Sequence, residues 1–392
     1  MNPVKYKILF TLTPPFNPYS GGVQRTTFKL GKYFTEKGMD VSYYSTANQN
    51  QVEPEYGELY HSPFPNGMIN NKNFLDLQNR LEKIKPDFVI NQMPYEKELR
   101  ECLYSNKIRL DYILLGCLRN SLFSFKNNAR ENGIQTLPKW THPLINTYLG
   151  EKLLQWQHWF KHRAYLKAII TKHDRFILLA PPNRVELNHF VGNYKAEKVL
   201  SIPNSIPEVY TEFLNKEKTI LHVGRIDIPQ KRSDLLTKFW IKTYQSLPDW
   251  NFVIVGDGPY FASLKKEVEE LKLPGIKLEG AQKPEAYYKK AALFMMPSAY
   301  EGFPNTILEA QSYGCIPIAF NSYAALDWIV GDRENALLSE PFDISQMAEH
   351  VITLANNKDK LVEMQKASLL NAGRFTINLV GEQWLELFKT LR

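Results

Sequence analysis

The stretch MPSAYEGFPNTILEA, Met296 to Ala310, carries two carboxylates, Glu301 and Glu309, with seven residues between them around a Gly-Phe-Pro-Asn-Thr core. A carboxylate accepts two hydrogen bonds at once, so such a pair suits vicinal hydroxyls: Glu309 on a ribose diol and Glu301 on a sugar. The apolar run AALFMMPS reads as a buried strand, SAYEGFPN as the loop at its carboxyl end and NTILEAQSYG as the start of a helix. The backbone around Gly302, Phe303, Pro304, Asn305 and Thr306 then lies at a helix amino terminus, where phosphate is favoured. A plainer alternative is a capping box, with Thr306 and Glu309 serving the helix itself. That reading leaves Glu301 unassigned.

A second set of residues could meet the phosphates. The strand TILHVGR ends in Gly224-Arg225, and Lys231 follows in the polar loop IDIPQKR. Arg supplies a planar fork for phosphate oxygens and Lys a mobile point charge, so together they could neutralise a diphosphate. As ordinary solvated cations they would do nothing of the kind. The next strand ends in Gly256-Asp257-Gly258-Pro259, a tight turn that permits close backbone approach. Near the amino terminus, Gly21-Gly22 opens a helix after a strand and would let an anion reach free amides. That loop lacks the dinucleotide fingerprint and the P-loop Lys-Ser/Thr pattern, which argues against a dehydrogenase or NTPase. The chain has no Asp-x-Asp, His-Glu-x-x-His or Gly-x-Ser-x-Gly, so metal-dependent transfer and serine hydrolysis lose support.

The elements that must position these residues follow a regular pattern. KILFTLT (7–13), DVSYYST (40–46), DFVINQ (87–92), YILLGCL (112–118) and RFILLA (175–180) read as strands, with a helical pattern over VQRTTFKLGKYFTEKG (23–38) between the first two. A short strand in KVLSIPNSIP and turn signals between about 181 and 207 mark a boundary. A new series then begins: TILHVGR, NFVIVGDG, KLEG, AALFMMPS and CIPIAF, again with helices between. Two alternating halves predict an α/β chain of two doubly wound domains, 1–203 and 204–374. The last stretch, 375–392, is an amphipathic helix that must pack on something, with a return to the first domain as the expectation.

Composition bounds the class. A chain of 392 residues with 44% hydrophobic residues can fill two cores, and a formal charge of +7 favours an anionic partner. Cys102, Cys117 and Cys315 form no paired motif, which fits a reducing, cytoplasmic setting. The short apolar run at the amino terminus, ending in Pro14-Pro15, reads as a first strand rather than a signal peptide. No stretch reaches the ~18–20 apolar residues of a membrane span.

Taken together, these motifs resemble the retaining, metal-independent glycosyltransferases of family four, glycosyl transferases group 1, which have the two-Rossmann GT-B fold. The resemblance is strongest over 219–340, where Gly224-Arg225…Lys231, the 256–259 turn and Glu301…Glu309 occur in family order. Gly21-Gly22 matches the amino-terminal glycine loop, and the last helix is similar to the family's crossover segment. The resemblance implies an interdomain cleft that holds a nucleoside diphosphate sugar. It implies that Arg225 and Lys231 bind the diphosphate, Glu309 the ribose and Glu301 the transferred sugar, helped by backbone from Gly302 to Asn305. It also implies retention of anomeric configuration by a same-face route, with no metal or other cofactor.

Two departures stand out. The Arg-to-Lys spacing is one residue longer than in many members. The segment LLGCLRNSLFSF (114–125) places Arg119 where the family often has a histidine. Three readings stay open there: a substitute donor to the sugar or its phosphate, an altered acceptor, or lost activity.

The basic, aromatic segment 139–172 is read either as a helix with its Trp and Tyr buried in the first domain or as a surface that docks on anionic lipid. His158 and His162 in it are four apart, but with no third ligand they read as helix-surface residues. The leading function is transfer of a hexose or N-acetylhexosamine to a glycan or lipid-linked acceptor, in the cytoplasm or on the inner membrane face. A sugar-nucleotide epimerase on the same fold and a catalytically silent sugar-nucleotide binder are the alternatives. A nucleic-acid partner has only the charge in its favour and is not expected.

Overall fold

A computed structural model of the chain describes residues 5–18, 21–47, 49–62, 71–107, 109–127, 129–210 and 216–392. The chain divides into two compact units, one of residues 1–122, 155–205 and 377–392, the other of residues 123–154 and 206–376.

The first unit is built on seven strands: β1 (Lys7–Leu12), β2 (Asp40–Ser45), β3 (Glu58–His61), β4 (Phe88–Asn91), β5 (Ile113–Cys117), β6 (Arg175–Leu178) and β7 (Val199–Ser201). All pair in parallel, in the order β3-β2-β1-β4-β5-β6-β7. The central strands are near-continuous apolar runs because helices cover both faces, so alternation would put polar groups into a core. The strand order reverses between β1 and β4. Loops leaving their carboxyl ends therefore diverge and open a crevice, the usual ligand position in such sheets.

The helix Gly22–Glu36 follows β1, and the helix Ile377–Leu391 packs along it. Trp384 and Phe388 are buried, with the Phe388 ring centroid 4.4 Å from Phe88 and 5.3 Å from Phe34. The two helices meet at Gly381, where an added Cβ would overlap the Tyr33 ring. Tyr33 cannot easily yield, since it is buried and its hydroxyl donates to Glu382 at 2.8 Å.

The second unit repeats the plan with β8 (Glu217–Val223), β9 (Asn251–Val255), β10 (Ile276–Gly280), β11 (Ala291–Met296), β12 (Ile316–Phe320) and β13 (Leu337–Ser339). The order is β10-β9-β8-β11-β12-β13, again all parallel, with the reversal between β8 and β11. Two strands escaped the sequence reading. ELYH of β3 is only half-buried and LLS of β13 spans three residues, so neither presents the long apolar run that marked the others.

The helix Tyr148–Lys172 bears on the burial expected for its aromatic residues. It buries Leu166 and Ile169 near its end, but Trp140 before it is 83% exposed and Trp156 within it 59% exposed, with Tyr148, Leu149 and Phe160 also exposed. Burial of that surface was the wrong expectation. Among the described residues no helix is long and apolar enough to cross a membrane.

Gly381→Ala should lower the unfolding free energy by about 1–3 kcal/mol through overpacking against Tyr33. Leu379→Ala, at an exposed position of the same helix, should stay within about 0.5 kcal/mol of the parent. Urea denaturation of the two variants checks the contrast.

Candidate functional site

The reversal between β8 and β11 brings together the residues singled out in the second unit. The loop after β8 carries Gly224, Arg225, Asp227, Gln230 and Lys231, and the loop after β11 carries Tyr300 and Glu301. The Ala299 amide donates to the Gln230 carbonyl at 2.8 Å and ties the two loops. Across this seam Lys231 Nζ stands 2.6 Å from Glu301 Oε1, the side chains only 17% and 9% exposed. The Gln230 amide donates to Glu301 Oε2 at 3.2 Å and to the Tyr300 carbonyl at 3.3 Å.

Asp227 organises the first loop. It is buried, and its Oδ1 accepts from the backbone amides of Gln230 at 3.1 Å and Lys231 at 3.0 Å. Its Oδ2 accepts from Arg225 Nε, while Arg225 Nη2 donates to Gln230 Oε1 at 3.3 Å. Arg225 nonetheless leaves 60% of its side chain exposed. One cation is therefore anchored within the seam, and the other reaches outward over a pocket of about 780 Å³ lined by Asp227, Pro259, Tyr260 and Tyr300.

The glycine turn supports this loop from β9. Gly256 has φ of 148°, and a Cβ on it would overlap the Gly224 carbonyl oxygen. The Gly224 amide donates to the Val255 carbonyl at 3.1 Å and the Ile226 amide to the Asp257 carbonyl at 2.9 Å. A side chain at 256 would push these strand ends apart.

Glu309 lies in the helix Asn305–Ser312 and is buried. That helix has Pro304 as its N-cap and no side-chain cap bond. Thr306 sits inside the helix, its hydroxyl 3.6 Å from Met296 Sδ, so the capping-box reading of Thr306 and Glu309 is corrected. The Phe303 ring packs against Phe375 with centroids 6.1 Å apart, which fixes the loop through Gly302 and Pro304 ahead of the helix.

Sequence reading missed two further groups here. His222, on β8, is wholly buried; its Nδ1 faces the Met295 carbonyl at 3.1 Å, while its Nε2 has no partner and lies near Gly224. Burial, with the Lys231 charge adding to it, pushes His222 down to about 4, so the ring is neutral at pH 7. Tyr323 follows β12 and keeps a buried, unpartnered hydroxyl, pushed well up by burial and by the Glu301 charge. A lone His inside an apolar strand carried no spacing signal. Asp227 offered one, standing two residues past Arg225 and four before Lys231 as a turn acid does.

Gly21, Gly22 and Arg119 belong to the first unit. Gly21 has φ of 66° and is the N-cap of the helix Gly22–Glu36. Arg119 follows β5, and its Nη1 donates to Asn204 Oδ1 at 3.0 Å. His158 and His162 stack with ring centroids 3.3 Å apart and pack toward Phe190, half-buried rather than on the surface. Among the described residues no group of three His, Cys, Asp or Glu could hold a metal.

Residues 210–369 match the family model described as glycosyl transferases group 1. This segment, most of the second unit, is similar to that group. The chain is 25% identical to an uncharacterized glycosyltransferase of Haemophilus influenzae over 93% of its own length and 95% of the relative's. It is 24% identical to N-acetylgalactosamine-N,N'-diacetylbacillosaminyl-diphospho-undecaprenol 4-alpha-N-acetylgalactosaminyltransferase of Campylobacter jejuni, over 72% of this chain and 70% of that one. Among solved structures, HepE of Anabaena in complex with UDP and glucose superposes with a TM-score of 0.73 at 14% identity, covering 98% of this chain and 100% of that one. Such likeness, with the two doubly wound sheets, gives the chain the GT-B fold.

Burial pushes His158 down to about 3, His162 to about 4 and His173 to about 3, alongside His222 at about 4. An unfolded histidine titrates near about 6.5, so between there and the folded values the unfolded chain binds protons that the native chain does not. Stability should therefore fall as pH drops below 6.5 toward 4. Urea midpoints at pH 7 and pH 5 measure the fall, and His222→Asn, which keeps a donor for Met295, should reduce it.

Proposed function

We propose that the protein is a glycosyltransferase that moves a hexose or N-acetylhexosamine from a UDP- or GDP-linked donor to a glycan or lipid-linked acceptor, with retention and without a metal. The observation that carries the reading is the seam at the β8–β11 reversal. There a sheltered lysine and carboxylate stand 2.6 Å apart beside an outward-reaching arginine. Cations of this kind stabilise charge that develops on a departing diphosphate. Lys231 and Arg225 take the phosphates, Glu309 the ribose diol, and Glu301 a hydroxyl of the transferred sugar. The Gly224 and Gly256 backbones let the diphosphate come close.

In the transfer step the anomeric carbon–oxygen bond to the diphosphate breaks, and its electrons stay with the phosphate oxygen. The acceptor hydroxyl bonds to the anomeric carbon from the same face and yields its proton to that oxygen. Positive charge beside the phosphate lowers the barrier without a divalent ion; turnover in excess chelator is the check on that point. A UDP donor draws support from the UDP in the HepE structure, and a lipid-linked acceptor from the diphospho-undecaprenol in the Campylobacter relative's name. The Campylobacter relative's name places such chemistry in lipid-linked glycoconjugate assembly. The exposed Trp140, Tyr148, Leu149, Trp156 and Phe160, interspersed with Lys139, Lys152 and Lys161, form a peripheral docking surface for anionic lipid at the inner membrane face. Co-sedimentation with phosphatidylglycerol vesicles, abolished in a Trp140→Ser/Trp156→Ser variant, is the expected behaviour.

Arg119, in place of the family's usual histidine, keeps a silent sugar-nucleotide binder as the second reading. Arg225→Ala and Lys231→Ala should each lower turnover by about 10²–10³-fold, and Glu309→Ala should abolish the thermal shift given by the best nucleotide. Tight binding without transfer to any acceptor would favour the silent binder. Interconversion of the free donor sugar would replace transfer by epimerisation.

A further inference from the structure

The first unit has its own reversal, between β1 and β4, and the carboxyl ends around it hold buried polar groups with nothing to bond. Gln92, one residue past β4, is wholly buried, and neither its Oε1 nor its Nε2 has a partner among the described residues. The register that pairs Asn91 with Gly116 sets Gln92 beside Cys117 on one face of the sheet. The Tyr95 hydroxyl is likewise buried and unpartnered. Arg119 completes the group: Nη1 is held by Asn204 at 3.0 Å, but Nε and Nη2 are shut off from solvent with no oxygen acceptor among the described residues, the Cys117 sulfur serving the guanidinium in its place.

Burying a guanidinium edge without an oxygen acceptor is expensive, since the unmet donors forfeit their hydration. The groups that act on Arg119 are Cys117 and Tyr95, not a carboxylate. The nearby Glu186 is already taken, accepting from Ser121 Oγ at 2.9 Å and the Leu122 amide at 2.7 Å. Nor is the site neutralised from the helix after β1, which brings Lys29 to the Ser205 carbonyl at 3.3 Å, one residue past Asn204. Two parallel donors on an unpaired guanidinium edge match the two oxygens of a carboxylate or phosphoryl group.

We infer that Arg119, with Gln92 and Tyr95, is a specificity-determining site of the first unit for an oxyanion, a carboxylate or phosphoryl group, carried on a sugar substrate. Arg119 supplies the bidentate edge, and Gln92 and Tyr95 meet adjacent hydroxyls. This rests on the proposed transferase reading for its substrate class but not for its chemistry. The charged group belongs either to the transferred sugar or to the acceptor.

Calorimetric titration with two arms separates these sources. The donor arm compares UDP-glucuronate with UDP-glucose. The acceptor arm, at saturating UDP, compares methyl glucuronide and glucose 6-phosphate with methyl glucoside. In one arm the charged probe should bind at least about tenfold more tightly. Arg119→Gln should erase that preference, and Arg119→Lys should keep its sign at reduced size, with UDP affinity changed by less than about twofold in both. Gln92→Leu, an independent variant if Arg119→Gln misfolds, should weaken the preferred charged probe by about three- to tenfold. Absence of a preference for charge in both arms, or its survival in Arg119→Gln, overturns the inference. UDP affinity unaltered by Arg225→Ala and Glu309→Ala would sink the donor-site reading instead. In that case the acceptor-arm probes, titrated without UDP, still decide the role of Arg119.

Discussion

Two opposite charges held 2.6 Å apart and largely out of water do not hold a fold together cheaply. Desolvating a lysine and a carboxylate costs several kcal/mol per ion, and their attraction offsets this only when further hydrogen bonds meet the remaining lone pairs. Lys231 and Glu301 satisfy that condition through Gln230, which bonds Glu301 Oε2, and through Asp227, which holds the amides of 230 and 231 in place. The arrangement depends on the sheet order. Only where β8 and β11 are neighbours with helices on opposite faces do their two loops run side by side with space above them. A purely structural role would be served as well by two apolar side chains, so the pair's retention in the seam is better understood as a charge store. In the proposed transfer, arriving phosphate would let Lys231 exchange one anion for another and would release Glu301 toward hydroxyls.

That exchange explains why the neighbouring cation is built differently. Arg225 is tethered at Nε by Asp227 but keeps most of its side chain in solvent. A solvated cation attracts an anion over a Debye length of about 8–10 Å, whereas a sheltered one acts strongly only on what touches it. The site thus combines a capturing charge with a holding charge. Gly224 and Gly256 matter because the strand ends that carry these charges are in contact, with no room for a Cβ between them. The chemistry of the loop is set by backbone packing beneath it.

Much of this was legible in the chain itself, for a definite reason. Parallel strands buried on both faces must be apolar throughout, so FVIN, ILLGC, NFVIV and AALFMM announce themselves, and chemistry is confined to the polar residues that follow them. Arg225, Lys231, Glu301 and Glu309 were singled out that way, and the structure gathers the first three at the seam. What was not legible has physical causes too. The side chains of Trp140 and Trp156 could be expected in a core on hydrophobicity alone, because sequence does not say which helix face lacks a neighbour. The capping box failed because Pro304, not Thr306, begins the helix; a Thr-x-x-Glu pattern is as compatible with the first turn as with its cap. His222 escaped because a strand position says nothing of what its ring meets across the sheet.

The two sheets share one topology around their reversals, yet they treat their cations differently, although His222 Nε2 and the Tyr323 hydroxyl of the second unit also lack partners among the described residues. In the second unit the key charges satisfy one another: Lys231 with Glu301, Arg225 with Asp227, Gln230 bridging. In the first, Gln92, Tyr95 and two nitrogens of Arg119 are sheltered without such partners. A fold can carry unmet donors only if some state repays them, and a closed internal network would be the cheaper solution were no ligand involved. A site that must bind a strongly charged diphosphate gains from a resident counter-ion that can be displaced, since free cations would bind any passing phosphate. One that must distinguish among sugars gains from the reverse, because a donor left unpaired penalises every substrate that lacks the matching acceptor. Under the proposed roles, the second unit would serve capture and the first selection. Under the proposed selection, a permanently charged fork at 119 would favour anionic substrates at every physiological pH, which a titratable ring would not do.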